Sequence, residues 1–410
     1  MISNEPFFKS LKKTVTNLKL RASYGLVGND NIGDSRFLYM SQINMDSSSH
    51  GYTFGDLRGY STNGIAITRY ANTSVGWEVA KKANYAIELG LKDALALTVE
   101  YYTEYRDNIL QSRTSIPSTM GLAATPEANI GAAKGNGVDI ELNYSKTFAN
   151  KSWLQVRGNY TYAKSQYLRY EEPNYPDAPW KSHIGHSVNQ KWGYIGESLF
   201  IDEAQITNSA TQFGDYLPGD IKYKDVNSDG TIDELDQVPI GYPTTPEIIY
   251  GFGFSYGIKG FDFSIFFQGL GRESFWIDYD KVSPFFNTYS GYTSNNQLAK
   301  FISDSHWSED NRDIYAAWPR LSTAAVTNND KTSTWFMRDG SFLRLKQLEF
   351  GYTLPHNLTK KISVESMRFY VSGSNLLCFS NFKLWDPEMA GDGLGYPVQR
   401  VVNIGLNLNF

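Results

Sequence analysis

The sequence predicts an all-β protein, an antiparallel transmembrane β-barrel wall of about ten strands with long extracellular loops and short periplasmic turns. Three observations carry this reading. Apolar and polar residues alternate with a period of two along ten separate stretches, and the connections between those stretches are alternately tight and long. No run of roughly 18 apolar residues is available to cross a bilayer as a helix.

Leu18, Leu20, Ala22 and Tyr24 open the series, and Tyr85, Ile87, Leu89 and Leu91 follow. Leu95, Leu97, Val99, Tyr101 and Tyr105 are opposed by Thr98, Glu100, Glu104 and Arg106. Val138, Ile140, Leu142 and Tyr144 alternate with Asp139, Glu141, Asn143 and Ser145; Leu154, Val156, Tyr160 and Tyr162 come next. Tyr250, Phe252, Phe254 and Tyr256 face away from Gly251, Gly253 and Gly257, and Phe261, Phe263, Ile265 and Phe267 continue the pattern. In "SFLRLKQLEFGYTL" the phase shifts between Leu345 and Leu348, which predicts a β-bulge. Met367, Phe369 and Val371 form the ninth set, and the terminal "VVNIGLNLNF" sets Val402, Ile404, Leu406, Leu408 and Phe410 against Asn403, Gly405, Asn407 and Asn409. The stretches run about 9 to 15 residues, enough for a tilted strand to cross a bilayer.

The tight connections are Lys92-Asp93, Ala149 to Lys151 and Lys259-Gly260, with a short loop over 355–363. The long ones cover 27–81, 107–136, 166–246, 271–339 and 379–397. Lengths that alternate in this way match an outer-membrane barrel, whose short turns face the periplasm. In hydrocarbon each unpaired backbone group would cost several kcal/mol, so such strands are expected to join laterally into a closed cylinder. The competing architectures are a soluble sandwich or propeller, and a stand-alone ten-stranded barrel acting as a porin or rim enzyme.

With 41% hydrophobic and 20% charged residues the chain can bury a core and is not disordered. A net charge of -5 provides no basic stripe for a nucleic acid and no block of Lys or Arg for anionic lipid. The single cysteine, Cys378, excludes an internal disulfide frame and a cysteine zinc site. The opening "MISNEPFFKSLKKTVTNLKL" lacks the pattern of a signal peptide, which predicts a chain that begins inside a longer protein or as a truncated product.

One stretch has coordination chemistry. In "DVNSDGTIDELD" (225–236), Asp225, Asn227, Asp229, the Thr231 carbonyl, Asp233 and Asp236 hold the ligand positions of an EF-hand-like loop, with Gly230 at the sharp turn. This predicts a structural Ca²⁺ site without a helix switch, since the flanks are not helical. The competing reading is an acidic Asx-rich turn with no ion. A soluble Ca²⁺-dependent sugar-binding module is the matching alternative function.

The segment 271–339 is rich in aromatics: Phe275, Trp276, Tyr279, Phe285, Phe286, Tyr289, Tyr292, Trp307, Tyr315, Trp318 and Trp335. Trp276, Tyr279, Trp307 and Trp318 are the candidates for contact with a ligand or a lipoprotein lid, set against ordinary loop packing. His183 and His186 lie near Glu171, Glu172 and Asp177, but nothing in their spacing fixes a metal geometry. No Ser-His-Asp or Cys-His arrangement has a supporting motif, so an enzyme is not expected.

The segments "LKLRASYGLVGNDNI" (18–32), "WEVAKKANYAIELGL" (77–91), "EYYTEYRDNIL" (100–110), "NIGAAKGNGVDIEL" (129–142), "GDIKYKDVNSDGTIDELDQVPIGYPTTPEIIYGF" (219–252), "DGSFLRLKQLEFGYTLP" (339–355), "RFYVSGSNLLCFSNFKLWDPEM" (368–389) and "YPVQRVVNIGLNLNF" (396–410) resemble, in this order, the C-terminal part of SusC/RagA-type TonB-dependent outer-membrane transporters. The resemblance implies the last ten strands of a barrel of about 22 strands. It implies residence in the outer membrane of a Bacteroidetes-like Gram-negative cell, in contact with its lipid. It further implies import of glycans, oligosaccharides or peptides together with a SusD-like lipoprotein, and energy from TonB-ExbB-ExbD received through an N-terminal plug and TonB box with no counterpart in these residues. The final aromatic, Phe410, resembles the signal read by the barrel-assembly machinery.

Overall fold

The computed structural model describes residues 1–30, 36–285, 296–360 and 363–410. Phe286, Tyr289 and Tyr292 of the aromatic segment, residues 31 and 32 of the first family-like motif, and residues 361 and 362 of the short loop lie outside the described residues. Ten strands form one sheet in chain order: β1 (Val15–Asn29), β2 (Glu78–Leu91), β3 (Leu95–Ser112), β4 (Glu127–Thr147), β5 (Trp153–Arg169), β6 (Ile248–Ile258), β7 (Phe261–Gly271), β8 (Phe342–Thr353), β9 (Ser366–Ser380) and β10 (Val401–Asn409). Every neighbouring pair is antiparallel.

Register follows the alternation. Leu20 lies opposite Ile87, Ile87 opposite Val99, Val99 opposite Ile140, and Ile140 opposite Tyr160, so the apolar parity of each strand meets that of the next. The same face continues through Phe254, Ile265 and Leu348, and through Phe350, Val371 and Ile404. These side chains are not stacked against a second sheet: Ile404 is 85% exposed, and Phe350, Phe369 and Val371 are about half exposed. A soluble sandwich would bury this face. A lipid-facing wall leaves it open.

The turns agree with the predicted positions. Lys92 and Asp93 have φ of 51° and 50°, and Lys259 and Gly260 have 50° and 88°, the left-handed pairs that let a two-residue turn match the strand twist. The predicted bulge is present. Phe266 and Phe267 of β7 oppose Gln347 and Leu345, so Lys346 is the extra residue and both Leu345 and Leu348 stay on the apolar face.

Two expectations change. β3 reaches Ser112 and β4 starts at Glu127, so the long connection predicted over 107–136 shrinks to 113–126. The Ala- and Gly-rich segment 127–137 carries little alternation, yet it pairs with β3 along its length and with β5 from Ala132 onward, beyond the apolar band. The first long connection holds a hairpin of its own, Gln42–Phe54 with Tyr60–Arg69, whose register slips three times. β1 and β10 pair on one side only among the described residues, so the ten strands form an open curved wall, as expected of part of a larger barrel. A stand-alone ten-stranded barrel is thereby ruled out as the arrangement seen; in lipid, those two edges need other strands to pair with.

At the long-loop end, segments 170–247, 272–285 with 296–341, and 381–400 merge into a second layer with its own core. Leu199, Ile221, Tyr223 and Ile232 from the first, Phe275, Tyr279, Ile302, Trp307, Trp318 and Phe336 from the second, and Phe382 from the third pack together. This canopy and the sheet beneath it position the candidate site.

Candidate functional site

The inward parity of the sheet is polar and concave. Asn17 of β1, Glu88 of β2, Thr98 of β3, Asn143 of β4, Gln155 and Arg157 of β5, Ser255 of β6, Ser264 of β7 and Gln347 and Glu349 of β8 line one concavity of about 920 Å³. Residues on eight successive strands can share one hollow only if the sheet curves around it. Many charges on this face pair across strands: Lys19 to Glu88 at 3.0 Å, Arg21 to Glu100 at 2.5 Å, Lys82 to Glu104 at 3.2 Å, and Arg368 to Glu349 at 2.6 Å and to Asp262. Such a wall is polar and largely ion-paired. It presents alternating donors and acceptors to the hollow.

The canopy is fastened by buried polar side chains as well as by its apolar core. Asn328 and Asn329, both fully buried, act as a substitute strand beside Ile221–Tyr223. The Ile221 N–H donates to Asn329 Oδ1 at 3.0 Å, and Asn328 Nδ2 donates to the Ile221 carbonyl at 2.7 Å. Gln212 joins them, donating to Asn328 Oδ1 at 3.0 Å and accepting from the Tyr223 N–H at 2.6 Å. Asn329 Nδ2 also donates to Asp220 Oδ1 at 2.8 Å, and Arg320 lies 2.9 Å from the same carboxylate. Burial raises the Asp220 carboxyl above the usual range, opposed by the Leu217 N–H and Arg320. Desolvation likewise raises the Tyr223 hydroxyl and pushes Tyr279 up to about 12.

Of the four aromatic candidates, Tyr279, Trp307 and Trp318 are 5%, 5% and 1% exposed. That corrects the expectation that they contact a ligand or lipoprotein: their rings fill the canopy core, with Tyr279 stacked on Trp318 at 5.7 Å. Trp276 is partly buried, and its indole N–H donates to the Ser333 carbonyl at 2.9 Å. The remaining loop is pinned to the wall through Arg344 of β8, 2.6 Å from Asp386 and 2.8 Å from Glu388.

In the 225–236 loop, Gly230 takes the left-handed conformation its position demands, with φ of 86°. Asp225 accepts from the Ser228 and Gly230 N–H groups at 2.6 and 2.8 Å, and buried Asp236 accepts from Val226 and Asp233 at 2.7 and 2.9 Å. Asn227 Nδ2 donates to Asp229 at 2.8 Å, Asp233 caps the Leu235 N–H at 2.7 Å, and the Thr231 N–H donates to Asp229. The carboxylates therefore serve the loop's own backbone. No three His, Cys, Asp or Glu side chains converge as a metal cluster among the described residues. His183 is held by Glu172 at 2.9 Å and packs between Tyr170 and Trp192. Phe410, 87% exposed, ends the lipid-facing parity of β10.

Sequence reasoning missed Gln212, Asn328, Asn329 and Arg344. A polar Asn pair in a loop gives no local signal, because its partners lie about a hundred residues away in the chain. The D-P-E run at 386–388 was visible, but its cation was not identifiable.

No family model matches the chain. It is 27% identical over 438 residues to "TonB-dependent receptor P3" of Formosa agariphila, covering 100% of this chain and 41% of that protein. It is 24% identical over 422 residues to "TonB-dependent receptor SusC" of Bacteroides thetaiotaomicron, covering 100% and 39%. Among solved structures, a chain of the RagAB peptide transporter superposes with a TM-score of 0.68 at 21% identity, covering 100% of this chain and 42% of that one. The chain thus spans about two-fifths of the length of the relatives it matches. An open wall with an apolar outer face, a polar concave side and a loop canopy defines the class, an antiparallel outer-membrane β-barrel wall of the kind found in TonB-dependent receptors. Its similarity to a TonB-dependent receptor SusC and to a chain of the RagAB transporter agrees with the barrel portion of a SusC/RagA-type receptor that the sequence motifs resemble.

Proposed function

We propose that this chain forms the C-terminal wall and much of the extracellular canopy of an outer-membrane nutrient importer for oligosaccharides or peptides. The single observation that carries the reading is the polar, partly ion-paired hollow on the concave side of the wall, on the opposite face from the lipid-facing side chains. The named relatives are receptors and transporters, not enzymes. In this reading a SusD-like lipoprotein works with the canopy, TonB-ExbB-ExbD acts on upstream parts of the importer, and Phe410 presents the last strand to the barrel-assembly machinery. Disrupting the gene and following depletion of labelled oligosaccharide and peptide mixtures from the medium tests the reading. A mixture in which every component disappears equally fast from both cultures refutes it.

We place Ca²⁺ at Asp225, Asn227, Asp229, Thr231, Asp233 and Asp236 on the strength of their spacing, with the ion stiffening the canopy loop. The internal hydrogen bonds of Asp225 and Asp236 weigh the other way. Calorimetric titration at millimolar Ca²⁺ separates the two, and heat no larger than dilution removes the site.

A further inference from the structure

Three lysines distant in sequence meet on the lipid-facing parity of β2–β5, just beyond the aromatic band. Tyr85 lies opposite Tyr101, Tyr101 opposite Val138, and Val138 opposite Tyr162, which marks the band. Toward the long loops on the same parity, Lys81 lies opposite Tyr105, Tyr105 opposite Lys134, and Lys134 opposite Gln166, while Asn136 lies opposite Lys164. At a rise of about 3.3 Å per residue, Lys81 sits roughly 13 Å beyond Tyr85. All three lysines are exposed. None forms an ion pair among the described residues, and Lys81 Nζ rests 5.6 Å from the centre of the Tyr105 ring.

The contrast with the inward face is what points to a ligand. Lys19 and Lys82, one parity away on neighbouring strands, each have a glutamate within 3.2 Å. On the outward row the next carboxylate along β3, Asp107, is already taken by Arg169. The lysines of the inward face on β1 and β2 are thus compensated, and those of the outward row are not, at the height where the headgroups of the outer leaflet begin. Lysine stems can lie along apolar surface while their ammonium groups reach the interface, and amides at Asn136 and Gln166 add donors beside them.

We propose that Lys81, Lys134 and Lys164, with Asn136 and Gln166, bind the headgroup phosphate of an anionic lipid of the outer leaflet. The proposal rests on the outer-membrane placement of the wall and is independent of what is imported. Its charge complementarity commits the occupant to a phosphorylated lipid: the row is continuous with the apolar band, so acyl chains lie below a phosphate held here.

The test uses the purified protein in neutral detergent, titrated with a phosphorylated lipid A and with its dephosphorylated counterpart, with bound lipid read by native mass spectrometry. Near a charged membrane surface each lysine contributes roughly 1 kcal/mol, about fivefold in affinity, so Lys81→Gln, Lys134→Gln and Lys164→Gln together should weaken the phosphorylated lipid on the order of a hundredfold. Lys146→Gln, outward but near the short turns, should leave it unchanged. Equal affinity of the triple variant and the parent for the phosphorylated lipid overturns the proposal, as does equal binding of the dephosphorylated lipid. Displacement of the lipid by millimolar inorganic phosphate would assign the lysines to free phosphate and overturn the lipid assignment. Should the triple variant not fold, the parent alone decides: its affinity must fall as salt rises from about 50 to 200 mM, and no fall refutes an electrostatic site.

Discussion

Asn329→Ala probes whether the canopy is held by its buried amides or by its aromatic core. Asn329 accepts from the Ile221 N–H at 3.0 Å and donates to Asp220 at 2.8 Å, and all three residues are fully buried. Truncation leaves the Ile221 N–H unpaired, at about 1–3 kcal/mol, and removes a hydrogen bond to a charged group worth about 1.5–3 kcal/mol. Taking the middle of each range gives roughly 4 kcal/mol, close to three orders of magnitude in the local opening equilibrium. Hydrogen exchange read by mass spectrometry is the suitable assay, because it resolves the canopy from the sheet. Peptides covering 211–223 and 323–334 should exchange about a thousandfold faster, while those covering β3 and β4 should not change. Asn329→Asp should open the canopy further, since it sets a second carboxylate against Asp220. Protection altered by less than tenfold would show that the apolar cluster alone holds the loops, and the argument from the amides would fail.

Other expectations follow from the same contacts. Arg344→Met removes the cation from Asp386 and Glu388, and breaking a buried pair costs about 3–5 kcal/mol, so limited proteolysis should cut 381–400 first. Gly219→Ala should destabilise the canopy in thermal melts, because φ is 86° there and a Cβ would lie 2.3 Å from the Trp307 ring; an unchanged melting temperature would mean that Trp307 moves freely. Glu273, above the sheet, has its carboxyl pushed up to about 7 by burial and by Asp339. An acid raised in the folded state holds its proton there longer than in the unfolded chain, so its contribution to stability declines as pH rises from the ordinary carboxylate range through about 7. Glu273→Gln should flatten that part of the melting curve against pH, and a parent curve already flat between pH 5 and 8 would contradict it.

The sequence alone determined the wall. A bilayer on one side and water on the other impose a period of two, and that pattern is local, so the apolar band of each strand, the Lys259-Gly260 turn and the bulge between Leu345 and Leu348 were legible residue by residue. Loop length against turn length likewise gave the orientation. What only tertiary structure decided has non-local partners: Asn328 and Asn329 become a strand edge only once Ile221 arrives beside them, and Trp307 and Trp318 become core only once three loops converge. The same holds for charge. Lys81, Lys134 and Lys164 form no block along the chain, and strand pairing alone makes them neighbours.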